Sequence, residues 1–130
     1  MIVLDASAAI DWLLQTPAGK RIEERLLSHK ESLHAPHLFD LEVAQVLRRL
    51  VRQGIISGHR AGEAIRDLLD LRIQRYPHFV FLSRIWQLRN NLSAYDAAYV
   101  VLAEELKATL ITRDNRLASA AYHSAAVEIF

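Results

Sequence analysis

Leu92 to Ala103 reads Leu-Ser-Ala-Tyr-Asp-Ala-Ala-Tyr-Val-Val-Leu-Ala, a mostly apolar segment in which Asp96 is the only formal charge. Carboxylates are almost never fully buried unless paired or bound to a metal, because an unsolvated ion costs far more than one hydrogen bond returns. Asp96 therefore constrains the rest of the chain. Either other groups converge on it, or it serves a helix start, with Ser93 as cap and an acid three residues on that complements the positive helix end.

The flanking chain alternates between the two apolar periods. Ile2–Leu4 is a short β-rich run, and Ala6 to Gln15 places Ala9, Ile10, Leu13 and Leu14 at helical spacing. Asp5 then lies at a strand's carboxyl end with Ser7 in the first helical turn, where open α/β sheets place their ligand sites; the other reading of Asp5 is an N-cap. Thr16-Pro17 opens a second helix that runs to about His29, and Ser32–Ala35 is a strand stopped by Pro36. From His37 to Gln53 the pattern is helical, closed by Gly54. Glu42 lies in its first half and could equally pair with an arginine on the helix surface.

Ser57 caps the next helix, whose apolar face is Ala61, Ala64, Ile65, Leu68 and Leu69. Ile73 to Tyr76 is extended, Phe79 to Leu88 helical, and Asn90-Asn91 a break. The Asp96 helix ends near Leu106-Lys107. Ala108 to Thr112 is a strand followed at once by Arg113-Asp114-Asn115, which repeats the design of Asp5. A helix over Arg116–Ala121 and a strand over Val127–Ile129 complete the chain.

Such alternation predicts a three-layer α/β/α fold with a mostly parallel central sheet and right-handed crossovers, in a single domain over residues 1–130. The 130 residues are 52% hydrophobic and 24% charged, enough for a real core. With no cysteine there is no disulfide framework, thiolate zinc site or cysteine nucleophile. No export signal is visible, and the longest apolar run, Ala97 to Ala103, is far short of the ~20 residues that span a bilayer. A cytoplasmic protein is expected. The net charge of +1 hides a run of arginines in mid-chain, Arg48, Arg49, Arg52, Arg60, Arg66, Arg72, Arg75, Arg84 and Arg89. Arginine suits phosphate, yet a pI of about 8.2 falls short of a dedicated nucleic-acid binder.

In a parallel sheet Asp5 and Asp114 would meet at the ends of neighbouring strands, with Asp96 in the first turn of the helix leading into the second of them and Glu42 reaching in from another. Two like charges ~4 Å apart repel by roughly 4 kcal/mol even at an effective dielectric near 20, so such a cluster needs protons or a cation. Oxygen-only ligands favour Mg²⁺ or Mn²⁺ over zinc. The chemistry that suits such a site is hydrolysis of a phosphodiester.

Four motifs then resemble one family: Met1-Ile-Val-Leu-Asp5-Ala-Ser7, Glu42-Val-Ala, Ala94-Tyr-Asp96-Ala-Ala-Tyr99 with Leu102-Ala103, and Leu110-Ile-Thr112-Arg-Asp114 with Leu117. In this order and spacing they are similar to the PIN-domain ribonucleases, in particular the VapC-type toxins of bacterial toxin–antitoxin pairs. The resemblance implies a metal site formed by Asp5, Glu42, Asp96 and Asp114, supported by the hydroxyls of Ser7 and Thr112. It also implies Mg²⁺-dependent cleavage of RNA, a homodimer, and inhibition by a cognate antitoxin. Asn115 offers a neutral oxygen beside Asp114. Gln45 departs from the asparagine that many relatives carry, and is expected to alter hydrogen bonding around the ligands without abolishing metal binding.

Two other readings stay open: a phosphoacceptor receiver domain, which lacks its lysine after a late strand here, and a PIN scaffold without catalysis. His29, His34, His37, His59, His78 and His123 show no ligand spacing, with His37 the one near Glu42. Tyr95, Tyr99, Trp12 and Trp86 are assigned to the core in preference to base stacking.

Overall fold

The computed structural model describes residues 1–119 and 123–130. In chain order its elements are β1 (Ile2–Leu4), α1 (Ala6–Leu13), α2 (Pro17–His29), β2 (Leu33–Pro36), α3 (Leu38–Arg52), α4 (Gly58–Asp70) and β3 (Ile73–Tyr76). After a 3-10 turn at Phe79–Phe81 come α5 (Leu82–Gln87), α6 (Ala94–Leu106), β4 (Thr109–Thr112), α7 (Asn115–Ser119) and β5 (Ala126–Ile129). The part of the expected last helix at residues 120 and 121 lies outside the described residues.

All five strands run parallel, in the order β3-β2-β1-β4-β5. The chain leaves β1 for β2 and β3 on one side, then crosses back to β4 and β5 on the other. Right-handed crossovers put α1 to α4 on one face and α5 to α7 on the opposite one, which agrees with α1 packing on α2, α3 and α4 and with α6 packing on α5. The strand order reverses between β1 and β4, and the crevice beyond the carboxyl ends of those two strands is the ligand position of an open α/β sheet. A receiver domain has its third strand beside the first. Here β3 lies outside β2, which removes that alternative.

The segment around Asp96 becomes α6, and Ala97 to Ala103 are all buried against β1, β2 and β4. Ser93 Oγ caps it by accepting from the Asp96 N–H at 3.1 Å. Lys107 ends it in the left-handed region at φ 52°. Close packing on the other face shows at Gly19, where a Cβ would stand 1.8 Å from the Asp11 carbonyl oxygen.

Two expectations change. Pro36 belongs to β2 and does not stop it short, because β1 pairs with β2 only as far as His34 and makes no demand on the missing N–H. Trp86 and Tyr95 are not core residues: each is 66% exposed, Trp86 on the six-residue α5 and Tyr95 in the first turn of α6. Tyr99 is buried as expected.

Candidate active site

Strand pairing sets the first two acids. Asp5 directly follows β1, and its N–H donates to the Ile111 carbonyl on β4 at 3.0 Å, so its backbone is stitched to the neighbouring strand. It occupies the N-cap position of α1, yet its carboxylate makes no cap bond. Instead Oδ2 accepts two hydroxyl protons, from Thr112 Oγ1 at 2.6 Å and from Ser7 Oγ at 2.9 Å. Those oxygens in turn accept from the loop beyond β4: Thr112 Oγ1 from the Asp114 N–H at 3.0 Å and Ser7 Oγ from the Arg113 N–H at 3.1 Å. Two hydroxyls thus lock both strand ends together. Among the described residues no buried side-chain oxygen or nitrogen lacks a partner, so Asp5 Oδ1, which receives none of these bonds, is open to solvent.

Helices bring in the other two acids. Glu42, in the second turn of α3, accepts at Oε1 from the Tyr99 hydroxyl at 2.5 Å. Its pKa is raised, first by burial and then by the charges of Asp5 and Asp96, while the Tyr99 bond opposes the shift. Asp96, in the first turn of α6, is likewise raised by burial and by Asp5, with Asp114 adding to it and Ser93 and Arg116 opposing. The charge contributions place Glu42 within electrostatic reach of Asp5 and Asp96, and Asp96 within reach of Asp5 and Asp114.

Asp114 is treated differently. Arg116 grips its carboxylate, Nε to Oδ1 at 3.0 Å and Nη2 to Oδ2 at 2.5 Å, and the Arg116 N–H adds a bond to Oδ1 at 2.9 Å. These bonds hold the Asp114 pKa below the usual carboxylate range. Arg116 Nη2 also stands 3.7 Å from Asp96 Oδ2. Among the described residues no three His, Asp or Glu groups are placed to hold one ion between them.

The donor set still fits an oxygen-preferring divalent cation. Burial and the charge of Asp5 raise the pKa values of the Glu42 and Asp96 carboxylates, Asp5 itself is buried, and among the described residues no cysteine and no histidine cluster joins the group. The histidines stay apart from it, His34 being buried between Ser32 Oγ and the Tyr76 hydroxyl at 2.7 Å each. His37 and Gln45 are exposed on α3 or at its start, and Asn115 opens α7 beside Asp114.

The mid-chain arginines do not form one face. Arg75 pairs with Asp40 at 2.7 Å, Arg84 with Glu104 at 3.0 Å, and Arg60 donates to the Leu13 carbonyl. Sequence reasoning passed over Arg116 and took Tyr99 for core alone. Their spacing, two residues after Asp114 and three after Asp96, was the available signal.

A doubly wound parallel sheet with carboxylates gathered at its switch point defines the class as an acidic-site α/β protein. Within that class the chain belongs to the PIN domain family, whose family model matches residues 2–122. It is 43% identical over 129 residues to ribonuclease VapC12 of Mycobacterium tuberculosis, covering 99% of this chain and 98% of that one. Its fold matches the crystal structure of PAE2754 from Pyrobaculum aerophilum with a TM-score of 0.73 at 23% identity, over 98% and 83% of the two chains. VapBC2 from Rickettsia felis, solved bound to a DNA fragment from its promoter, matches with a TM-score of 0.68 at 12% identity, over 99% and 98%. PIN-domain ribonucleases as a group depend on divalent metal. Among the described residues no helix is long and apolar enough to cross a membrane.

Proposed function

We propose that residues 1–130 form one nuclease domain, a Mg²⁺-dependent endoribonuclease that acts in the cytoplasm as the growth-inhibiting toxin of a toxin–antitoxin pair. The observation that carries this reading is the gathering of Asp5, Glu42, Asp96 and Asp114 at the β1/β4 switch point, where burial and the charge of Asp5 raise the pKa values of Glu42 and Asp96. The ribonuclease name of the VapC12 relative supports the substrate class.

Asp5, Asp96 and Asp114 hold the principal cation, Mg²⁺ with Mn²⁺ as a substitute. Glu42 helps hold a second one or orients the attacking water, its Oε1 fixed by the Tyr99 hydroxyl. When bound, the metal supplies charge neutralisation at the phosphate and a more acidic water. Ser7 and Thr112 fix the Asp5 carboxylate through its Oδ2 and leave Oδ1 for the cation. Asn115 adds a neutral oxygen at the rim, and Gln45 acts only on hydrogen bonding around the ligands. A cognate antitoxin protein and a homodimeric assembly complete the reading.

The test is cleavage of RNA with Mg²⁺, with EDTA, and after Asp5→Asn or Asp96→Asn. Cleavage is expected only in the wild type with metal, and activity that survives chelation or either substitution would sink the proposal. A folded wild type with no Mg²⁺-induced melting shift and no cleavage would support the non-catalytic scaffold.

A further inference from the structure

Arg116 puts its guanidinium between two of the four acids. Both oxygens of Asp114 are engaged by its fork, and Nη2 also reaches to 3.7 Å from Asp96. A divalent cation at these acids would carry the same sign of charge as the guanidinium and would compete with it for the Asp114 and Asp96 carboxylates.

We propose that Arg116 is a substrate-phosphate contact held in reserve: it neutralises Asp114 and Asp96 until the cation takes them, and then turns to the RNA backbone beside the scissile bond. The inference rests on the metal-site reading above and concerns this chain's own residue. Three features support it. The Arg116 side chain is 78% exposed, so the ion pair is screened by water and easily exchanged. Its backbone stays where it is when the side chain swings, because its N–H bonds Asp114 Oδ1 and Asp114 is itself tied by its N–H to Thr112. Finally, the planar fork that fits a carboxylate fits a phosphate equally well.

Its neighbour Arg113 cannot do the same. Arg113 is committed to the fold, Nε to Asp11 Oδ2 at 2.8 Å and Nη1 to the Phe130 carbonyl, so it joins the β4 loop to α1 and to the chain end. Two arginines flank Asp114 at close spacing, Arg113 bridging to Asp11 and Phe130 with a side chain 40% exposed, Arg116 reaching the acids with one 78% exposed. The difference in exposure marks Arg116 as the more readily exchanged cation.

The effects of Arg116→Ala should have opposite signs on the two ligands. By calorimetric titration Mg²⁺ should bind about threefold tighter, since the competing guanidinium of an exposed pair is gone. For a short single-stranded RNA that the wild type cleaves, KM should rise about tenfold with a smaller change in kcat, as expected for one charge-assisted phosphate contact. The log–log salt dependence of KM should fall in slope by about one. Arg116→Lys keeps the charge and should restore the salt slope. Arg116→Gln, which keeps a polar side chain of similar length, replaces the alanine variant if that one does not fold. An Arg116→Ala protein with unchanged or weaker Mg²⁺ binding, or with an unchanged salt slope, overturns the inference, as does a lysine variant that fails to restore the slope. A wild type that neither binds Mg²⁺ nor cleaves RNA overturns the nuclease reading itself; a cleaving wild type matched in all respects by Arg116→Ala overturns this inference alone.

Discussion

Asp5 stands one residue beyond β1 and Asp114 two residues beyond β4, on adjacent strands, yet their surroundings differ in kind. Asp5 is 7% exposed and takes two neutral hydroxyl donors on a single oxygen, so its charge is oriented without being cancelled. Asp114 is more open and takes a guanidinium on both oxygens, so its charge is cancelled by a side chain that water surrounds. Orientation without neutralisation leaves negative potential in the crevice, felt as raised pKa values at Glu42 and Asp96. Neutralisation from outside is reversible. One strand end is built to stay as it is and the other to exchange its partner.

The sharpest break of that comparison is to neutralise each acid in turn. Asp5→Asn and Asp114→Asn should both lower RNA cleavage by about a thousandfold, the scale seen on losing a preorganised charge-stabilising group. Their metal-free stabilities should diverge. In Asp5→Asn the amide oxygen can still accept both hydroxyl protons while the like-charge repulsion with Glu42 and Asp96 disappears, so urea denaturation should show a gain of about 1 kcal/mol. Asp114→Asn loses the Arg116 pair and gains nothing in return, so it should show a small loss of stability. Equal shifts of the same sign would end the distinction between the two strand ends.

Thr112 joins the two ends and is fully buried. Its hydroxyl donates to Asp5 and accepts from the Asp114 N–H, so Thr112→Val keeps the shape of the strand but leaves a buried carboxylate oxygen short of a donor and a backbone N–H short of an acceptor. Denaturation should show a loss of about 2 kcal/mol. Ser7→Ala, at a half-buried hydroxyl that water can replace, should lose clearly less.

How much of this was legible beforehand depended on the range of the interaction. Strand-then-acid at Asp5 and Asp114, the cap at Ser93 and the buried run from Ala97 to Ala103 are written in neighbouring residues, and the structure keeps all of them. Pro36 was misjudged because its tolerance depends on where a different strand, β1, stops pairing. Trp86 and Tyr95 were misplaced for a similar reason: a side chain's burial is decided by what lies over it, and at 66% exposure Trp86 is covered by little more than the Arg89 guanidinium, 4.8 Å from its ring, among the described residues. The four acids are an expectation from the chain, and the structure sets Glu42 and Asp96 within charge range of Asp5, and Asp96 within that of Asp114. Which of them carried its own counter-cation was not legible there, because the Arg116 rotamer answers to Asp96 across the site as well as to Asp114 beside it.

The smallest effect separates the raised acids from the lowered one. Glu42 and Asp96 have pKa values raised above the ordinary 4.5 and 3.8, so the folded chain holds protons that the unfolded chain releases. Without metal their contribution is most favourable at low pH, and stability falls as pH rises above those ordinary values. Asp114 works in the opposite sense: its lowered pKa gives stability that is present above 3.8 and lost as pH falls toward and below it. The Tyr99 hydroxyl favours the ionised form of Glu42, so Tyr99→Phe should raise the Glu42 pKa further and extend the fall in stability to higher pH. At neutral pH the loss should be about 1 kcal/mol, one hydrogen bond to a charged acceptor that solvent partly replaces. Denaturation across a pH series in EDTA reads all of this: the wild type should soften from mildly acidic to neutral pH, Tyr99→Phe should soften more, and Glu42→Gln should flatten that part of the curve. A wild-type curve that rises over the same interval would mean that Glu42 and Asp96 are as well compensated as Asp114, and the exchangeable arginine would then have no excess charge to answer.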